Sequence, residues 1–267
     1  MMNSSNQAIG VFDSGLGGLT VLKYLLKFFP DENFIYLGDL AHLPYGNKSK
    51  NNIINYSLKC AKFLESKNVK AIVIACNTAS ACAYKAIKEQ VAVPVFDVIT
   101  PCIKKISLSD NKEIIILGTE QTIQSETYSK LIKKINNKII IHNKACPLFA
   151  PIVEEGLEGS SIANQIIDYY LKDIKVQEVE TLILGCTHYP ILIDDLNLYF
   201  NNQIKILHSG PIIAEALSKS LPENQFNNKG NQQSISYYVT DFPDRFQKLG
   251  SKFLGDIIKK VELIQIN

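Results

Sequence analysis

The chain has 267 residues, of which 46% are hydrophobic and 20% charged, proportions that are typical of folded globular proteins and exclude a disordered chain. Its 28 basic and 26 acidic side chains leave a formal net charge of +2, which argues against nucleic acid or an anionic membrane as a partner. No apolar run approaches the roughly 20 residues of a membrane-spanning helix, and the first residues lack a secretory signal, so we predict a cytoplasmic protein.

Short apolar segments alternate with longer amphipathic segments along the chain. The short segments have the β-branched composition of buried strands and lie at residues 9–12, 34–37, 71–75, 93–98, 113–117, 139–142, 182–185, 204–207 and 235–240. Helical spacing of apolar residues is found at 19–28, 53–64, 162–171 and 246–258. This alternation predicts an α/β fold with mainly parallel sheets, in which ligands bind at the carboxyl ends of the strands.

An internal repeat predicts that two such units are present. Residues 68–76 align with residues 178–186, and each segment has a valine, a charged residue and an apolar strand that ends in a small residue and a cysteine. Residues 9–14 align with 114–119 at a similar offset. We therefore predict two similar α/β domains related by a pseudo-twofold axis, with the active site in the cleft between them. The first domain is expected to comprise residues 1–98 and 208–267, and the second residues 99–207.

The cysteines divide into two groups by position. The chain has 6 cysteines, but it lacks an export signal and any Cys-x-x-Cys pair, so we expect neither disulfides nor a zinc site. Cys76 and Cys186 alone occupy matched positions in the repeat, each directly after a buried strand. If the two halves face each other, these thiols point into one cleft from opposite sides.

Two opposed thiols suit the inversion of a carbon centre. One base must remove a proton from one face, and a conjugate acid must return a proton to the other face. Thiols, whose reference pKa is ~8.5, can exchange these two roles as the handedness of the substrate changes. The matched pair therefore favours a two-base racemase without a cofactor.

Acidic and imidazole side chains follow the same strands. Asp13 follows the first strand and is a candidate to hydrogen-bond or deprotonate Cys76, while His188 is placed to serve Cys186. Glu154 is a candidate to position His188 or to bind an ammonium group. Alternative interpretations are an N-capping role for Asp13 and an ordinary surface position for Glu154.

Arg245 is the only arginine in the chain. We therefore expect hydroxyl, amide and backbone N–H groups to bind the carboxylates of a substrate. Suitable donors adjoin the proposed catalytic residues: Ser14, Asn77, Thr78 and Thr187. A Pro-Tyr-Gly segment containing Tyr45 and Gly46 can close over a ligand, although it can equally be a simple turn.

Two other chemistries remain open on these residues. The glycine-rich segment at residues 15–18 can cradle a phosphate, although it lacks the full spacing of a nucleotide-binding motif. A lysine can form an imine with pyridoxal phosphate, although nothing singles out one lysine.

The motifs Phe-Asp-Ser-Gly-Leu-Gly-Gly, Pro-Tyr-Gly, Ala-Cys-Asn-Thr-Ala and Gly-Cys-Thr-His-Tyr-Pro occur in this order, and together they resemble those of the glutamate racemases. The resemblance extends from residue 9 to about residue 214. It implies a cofactor-independent enzyme that supplies D-glutamate for peptidoglycan, with two α/β domains and often a homodimeric assembly. It places the catalytic thiols at Cys76 and Cys186, which would deprotonate D- and L-glutamate respectively, and the acidic residue at Glu154. The implied substrate contacts are Asp13, Ser14, Tyr45, Gly46, Asn77, Thr78, Thr187 and His188.

The leading hypothesis is therefore glutamate racemisation, with no metal and no cofactor. The alternatives are an aspartate racemase of similar architecture, an amino-acid sensor without catalysis, and a nucleotide-binding protein that uses the glycine-rich loop. No function is assigned to residues 227–267.

Overall fold

A computed structural model describes residues 7–107, 112–174, 179–221 and 232–266. The strands are β1 (Ile9–Asp13), β2 (Phe34–Gly38), β3 (Ala71–Ile74), β4 (Val95–Asp97), β5 (Glu113–Gly118), β6 (Ile140–Ala145), β7 (Thr181–Gly185), β8 (Lys205–His208), β9 (Ile235–Val239) and β10 (Glu262–Leu263). The helices are α1 (Leu19–Phe28), α2 (Lys50–Ser66), α3 (Asn77–Gln90), α4 (Ile99–Ser107), α5 (Glu120–Gln124), α6 (Thr127–Ile135), α7 (Phe149–Glu154), α8 (Ser161–Leu171), α9 (Ile193–Tyr199), α10 (Ser209–Ser220) and α11 (Pro243–Leu254).

The strands form two sheets in which all the described pairs are parallel. The first sheet has the order β10-β9-β2-β1-β3-β4, and the second has the order β6-β5-β7-β8. The predicted α/β class with mainly parallel sheets is confirmed. Strands β9 and β10 come from the end of the chain and extend the first sheet beyond β2.

The two sheets repeat one topology, as the sequence repeat suggests. The order β2-β1-β3-β4 corresponds to β6-β5-β7-β8, so the central strands β1 and β5 are equivalent, and so are β3 and β7. Asp13 ends β1 beside Gly38 of β2, and Gly118 ends β5 beside Gly185 of β7. The aligned sequence segments therefore end at equivalent edges of the two sheets.

The composition of the central strands explains their place in the core. All residues of β1, β3, β5 and β7 are buried, as expected for parallel strands covered on both faces. Polar side chains cap the N-termini of several helices. Ser49 Oγ accepts a hydrogen bond from the backbone amide of Asn52, and Thr119 Oγ1 accepts one from the backbone amide of Thr122.

Two predicted elements differ from the observed ones for reasons that single residues explain. The helix predicted at 246–258 is α11, which begins at Pro243 and ends at Leu254, because Gly255 has a φ of 78° and closes the helix. The strand predicted at 93–98 is shortened to β4, because Pro94 lacks the N–H that a ladder position needs. Strand β10 was not anticipated.

None of the helices in the described ranges combines the length and the apolar character needed to span a membrane.

Candidate active site

A pocket at the carboxyl ends of the central strands contains the two matched cysteines. It encloses about 460 Å³ of empty space, part of it open to solvent, and Cys76 and Cys186 both line it. Of the site residues predicted from sequence, those in the lining are Ser14, Tyr45, Gly46, Cys76, Asn77, Thr78, Glu154, Cys186, Thr187 and His188. Asp13 lies outside the lining and is fully buried. The structure thus brings the predicted residues of both halves to one place.

The Cys76 thiol lies at the start of a helix, with a hydroxyl next to it. Cys76 is the N-cap of α3, and its Sγ accepts a hydrogen bond of 3.5 Å from the Ala79 amide. The thiol also donates to Ser14 Oγ at 3.6 Å. Burial, reinforced by the negative charge of Asp13, raises the pKa of the Cys76 thiol to about 12. Cys76 is therefore a protonated thiol.

Asp13 connects the end of β1 to the Cys186 side of the pocket. Its Oδ2 accepts a hydrogen bond of 2.9 Å from the Gly15 amide, and its Oδ1 accepts one of 3.2 Å from Thr187 Oγ1. Burial raises the pKa of this carboxyl, and the nearby charge of His188 opposes that effect. The N-cap residue of α1 is Gly18 and not Asp13, although the Asp13 carboxylate also accepts a hydrogen bond from the Gly18 amide at the start of this helix.

On the Cys186 side of the pocket, a series of contacts links the thiol to an imidazole, a carboxylate and a guanidinium group. The Cys186 Sγ lies 3.9 Å from His188 Nδ1, and His188 Nε2 lies 3.0 Å from Glu154 Oε1. Arg245 NH2 donates to the other carboxylate oxygen, Oε2, at 3.1 Å. The pocket therefore has a thiol with a neighbouring carboxylate at Cys76, and a thiol with a neighbouring imidazole at Cys186.

The protonation of this chain follows from its contacts. Burial acts against a charged imidazole, but the hydrogen bonds to Cys186 and Glu154 outweigh it and raise the pKa of His188 to about 10. Burial likewise raises the pKa of Glu154, yet His188 and Arg245 together hold it below its ordinary value. His188 is therefore an imidazolium, and its Nδ1 lies beside the Cys186 sulfur.

The glycine-rich segment allows the close packing of this site. A Cβ on Gly17 would lie 2.4 Å from Thr187 Oγ1 and 2.5 Å from His188 Nδ1, and one on Gly18 would lie 2.5 Å from the Asp13 Cβ. The space at these glycines is thus filled by side chains of the site. This packing leaves no room for a phosphate at Gly17, so the nucleotide-binding alternative is not supported.

A cluster of threonine hydroxyls joins the two halves at the pocket. The Thr78 Oγ1 lies 2.9 Å from Thr119 Oγ1 and 3.1 Å from Thr122 Oγ1. Thr119 was not predicted, although it lines the pocket and aligns with Ser14 in the sequence repeat. The repeat was therefore a signal that could have identified it.

Other polar contacts fix the remaining lining residues. Asn77 Nδ2 donates to Tyr128 at 2.9 Å and to Ser209 at 3.2 Å. The Tyr45 hydroxyl donates to Asp39 Oδ2 at 2.6 Å, so a buried carboxylate positions the Pro-Tyr-Gly segment. The sequence did not identify Arg245, because it contacts a residue 91 positions away, or Asp39, because its contact with Tyr45 follows no periodic pattern.

Within the described ranges, no group of three or more His, Cys, Asp or Glu side chains is arranged to hold a metal ion. The donors that surround the thiols are hydroxyls, amides and backbone N–H groups, which suit a ligand with carboxylate groups.

Comparisons with known proteins agree with this geometry. A family model described as Asp/Glu/hydantoin racemase matches residues 22–217. A glutamate racemase of Geobacter metallireducens is 40% identical over 251 residues, covering 93% of this chain and 93% of that protein. The crystal structure of glutamate racemase from Francisella tularensis in complex with D-glutamate superposes with a TM-score of 0.92 at 36% identity, covering 98% of this chain and 99% of that one. An aspartate racemase of Picrophilus torridus has a TM-score of 0.61 at 21% identity, covering 80% of this chain and 94% of that one, and shares the fold alone.

Proposed function

The chain belongs to the Asp/Glu/hydantoin racemase family, and we propose that Cys76 and Cys186 carry out its reaction as two bases on opposite faces of the substrate. The enzyme is a cofactor-independent isomerase that interconverts L- and D-glutamate, as relatives at about 40% identity over most of the chain do. The observation that carries the two-base proposal is the pocket itself. One cysteine from each half lines it, and each thiol has its own polar partner.

In the direction from L- to D-glutamate, the Cys186 thiolate removes the proton from Cα. The electron pair left on Cα delocalises into the substrate carboxylate, and the Cys76 thiol then donates its proton to the opposite face. Cys186 ends as a thiol and Cys76 as a thiolate, so atoms and charge balance. The contacts support these roles, because the Cys186 Sγ lies 3.9 Å from His188 Nδ1 and burial raises the pKa of the Cys76 thiol, which keeps it protonated.

In the direction from D- to L-glutamate, Cys76 must first lose its proton. Asp13 interacts with Cys76 through its charge, and its raised pKa makes it a stronger base than an exposed carboxylate, so Asp13 is the acceptor of this proton. On the other side, the His188 imidazolium donates a proton to Cys186, which then acts as the acid, and Glu154 holds the His188 ring at 3.0 Å. Asp13 and His188 therefore restore the protonation of the thiols between turnovers.

The lining also supplies contacts for the substrate's own charges. The hydroxyls of Ser14, Thr78 and Thr187 and the N-terminus of α3 are donors for the two carboxylates. Tyr45 and Gly46 cover the pocket from the first half, with Thr119 in contact with Gly46. These residues bind and orient glutamate between the thiols, together with Asn77 and His188.

The test of the reaction is the initial rate of optical rotation change with each enantiomer of glutamate and of aspartate, without added cofactor. Glutamate should turn over in both directions and aspartate at least about 10-fold more slowly, because a difference of one methylene group changes the rate by about 10- to 200-fold. Cys76→Ser and Cys186→Ser should each abolish racemisation, since a hydroxyl is a far weaker base than a thiol. Parental rates in both serine variants would contradict the two-base proposal, and binding without turnover in the parent would indicate a sensor.

We also propose the setting in which the enzyme acts. Its product serves peptidoglycan synthesis in the cytoplasm, and the chain forms a homodimer, as the resemblance to its family implies. The domain boundaries proposed from the sequence are supported by β9 and β10, which lie in the first sheet. Light scattering during size-exclusion chromatography tests the dimer, and a requirement for added D-glutamate after gene deletion tests the role in the cell wall.

A further inference from the structure

Helix α11 lies next to the Cys186 side of the pocket, although it comes from the end of the chain. Arg245, in its first turn, donates to Glu154 Oε2 at 3.1 Å. Phe253, near its end, has its ring centroid 5.8 Å from that of His188, with an interplanar angle of 85°. One helix thus contacts both members of the Glu154–His188 pair.

The Glu154 carboxylate is held at both of its oxygens. Oε1 contacts His188 Nε2 at 3.0 Å, and Oε2 accepts from Arg245, so rotation of the carboxylate is restrained on both sides. The exposed fraction of the side chains falls from 45% at Arg245 to 18% at Glu154 and 10% at His188. Charges of alternating sign therefore extend from the solvent to the Cys186 thiol.

The identity of Arg245 matters for this arrangement. It is the only arginine in the chain, and a planar guanidinium holds a carboxylate in a more defined direction than a flexible lysine does. Lys252 lies two turns later on α11 and pairs with Glu158, without a described contact to Glu154 or His188. The helix therefore carries a second cation, Lys252, whose described ion pair is with Glu158 and not with the Glu154–His188 pair.

We infer that Arg245 is a positioning residue of the racemase reaction, which holds Glu154 so that the His188 imidazolium faces Cys186. This inference rests on the proposed two-base function. It assigns a role in catalysis to the end of the chain, which the sequence left without one. Loss of Arg245 should weaken the base that acts on L-glutamate and leave Cys76 and its partners unchanged.

The experiment measures kcat/KM for both enantiomers, each with protium or deuterium at Cα, in parent and Arg245→Met. The two enantiomers have equal free energy, so the variant must lose kcat/KM by the same factor in both directions, here about 10-fold. The isotope effect separates the two bases. The isotope effect on kcat/KM should rise for L-glutamate, because proton removal by Cys186 becomes a larger share of the barrier. It should fall towards unity for D-glutamate, whose proton is removed by Cys76.

Lys252→Met is the matched control, since it removes a cation from the same helix. Its rates should stay within about twofold of the parent and both isotope effects should be unchanged, as expected for a surface ion pair. Arg245→Lys should recover part of the lost rate. Unchanged isotope effects in Arg245→Met, or effects that move in the same direction for both enantiomers, would overturn the inference. Failure of the parent to racemise glutamate would instead contradict the proposed function.

Discussion

Thr187 Oγ1 donates a hydrogen bond of 3.2 Å to Asp13 Oδ1, joining the residue after Cys186 to the last residue of β1. Asp13 also raises the pKa of Cys76 through its charge. A single buried carboxylate is therefore in contact with one side of the pocket and electrostatically coupled to the other. Changes at Asp13 should affect both thiols, which provides the first prediction.

Asp13→Asn should slow racemisation by about 100-fold or more, because the proton acceptor for Cys76 is lost. The same change removes a negative charge beside Cys76, so the thiol pKa should fall below about 12. Alkylation of Cys76, followed by mass spectrometry of its peptide across pH, measures that shift. Slower racemisation with an unchanged alkylation profile would show that Asp13 does not act on this thiol.

Gly17→Ala should reduce kcat by about 100-fold while the protein remains folded. The added methyl would lie 2.5 Å from His188 Nδ1 and must displace this ring or Thr187, and small displacements of a catalytic group carry rate losses of this size. Gly15→Ala is the matched control for folding, because its methyl meets only Leu43, at 3.5 Å. Thermal unfolding and initial rates are compared for both. A Gly17→Ala enzyme with parental kcat would contradict the packing described for this loop.

Asp39→Asn should destabilise the fold by about 1–3 kcal/mol and raise KM more than it lowers kcat. Asp39 is buried and accepts hydrogen bonds from Tyr45 and from Thr240 Oγ1, at 2.8 Å for the latter, so an amide would leave a donor without a suitable partner. Tyr45 would then lose its fixed position over the substrate. Urea unfolding measures the change in the free energy of unfolding, and steady-state kinetics measure KM and kcat. A rise in KM in Thr240→Val as well would show that Thr240, the residue after β9, helps to hold the loop.

The stability conferred by His188 should depend on pH. Its pKa is raised from 6.5 to about 10 in the folded enzyme, so its contribution is complete below pH 6.5 and is lost as the pH rises towards 10. The titratable groups that face it are Cys186, Glu154 and Asp13. The difference in free energy of unfolding between parent and His188→Gln should therefore shrink between about pH 6 and pH 8.5. A difference that stays constant over this range would mean that His188 is not a buried imidazolium.

The sequence predicted the central strands and most of the pocket because these features are local. Cys76 and Cys186 follow apolar strands of matching pattern, and parallel sheets place such positions at one edge. Arg245 and Asp39 escaped prediction because their roles come from contacts across elements, which no periodicity encodes. The end of α11 was misjudged because the apolar spacing continues to Ile258, beyond the glycine that closes the helix.

The central claim is that two bases act on opposite faces of one substrate, and racemisation in deuterium oxide tests it most directly. L-glutamate is the starting material, and the two enantiomers are separated at low conversion for measurement of deuterium at Cα. Cys186 removes the substrate proton while Cys76 delivers one from solvent, so D-glutamate should carry deuterium from its first appearance and the remaining L-glutamate should carry none. D-glutamate that retains protium, or L-glutamate labelled as fast as the product forms, would contradict the account.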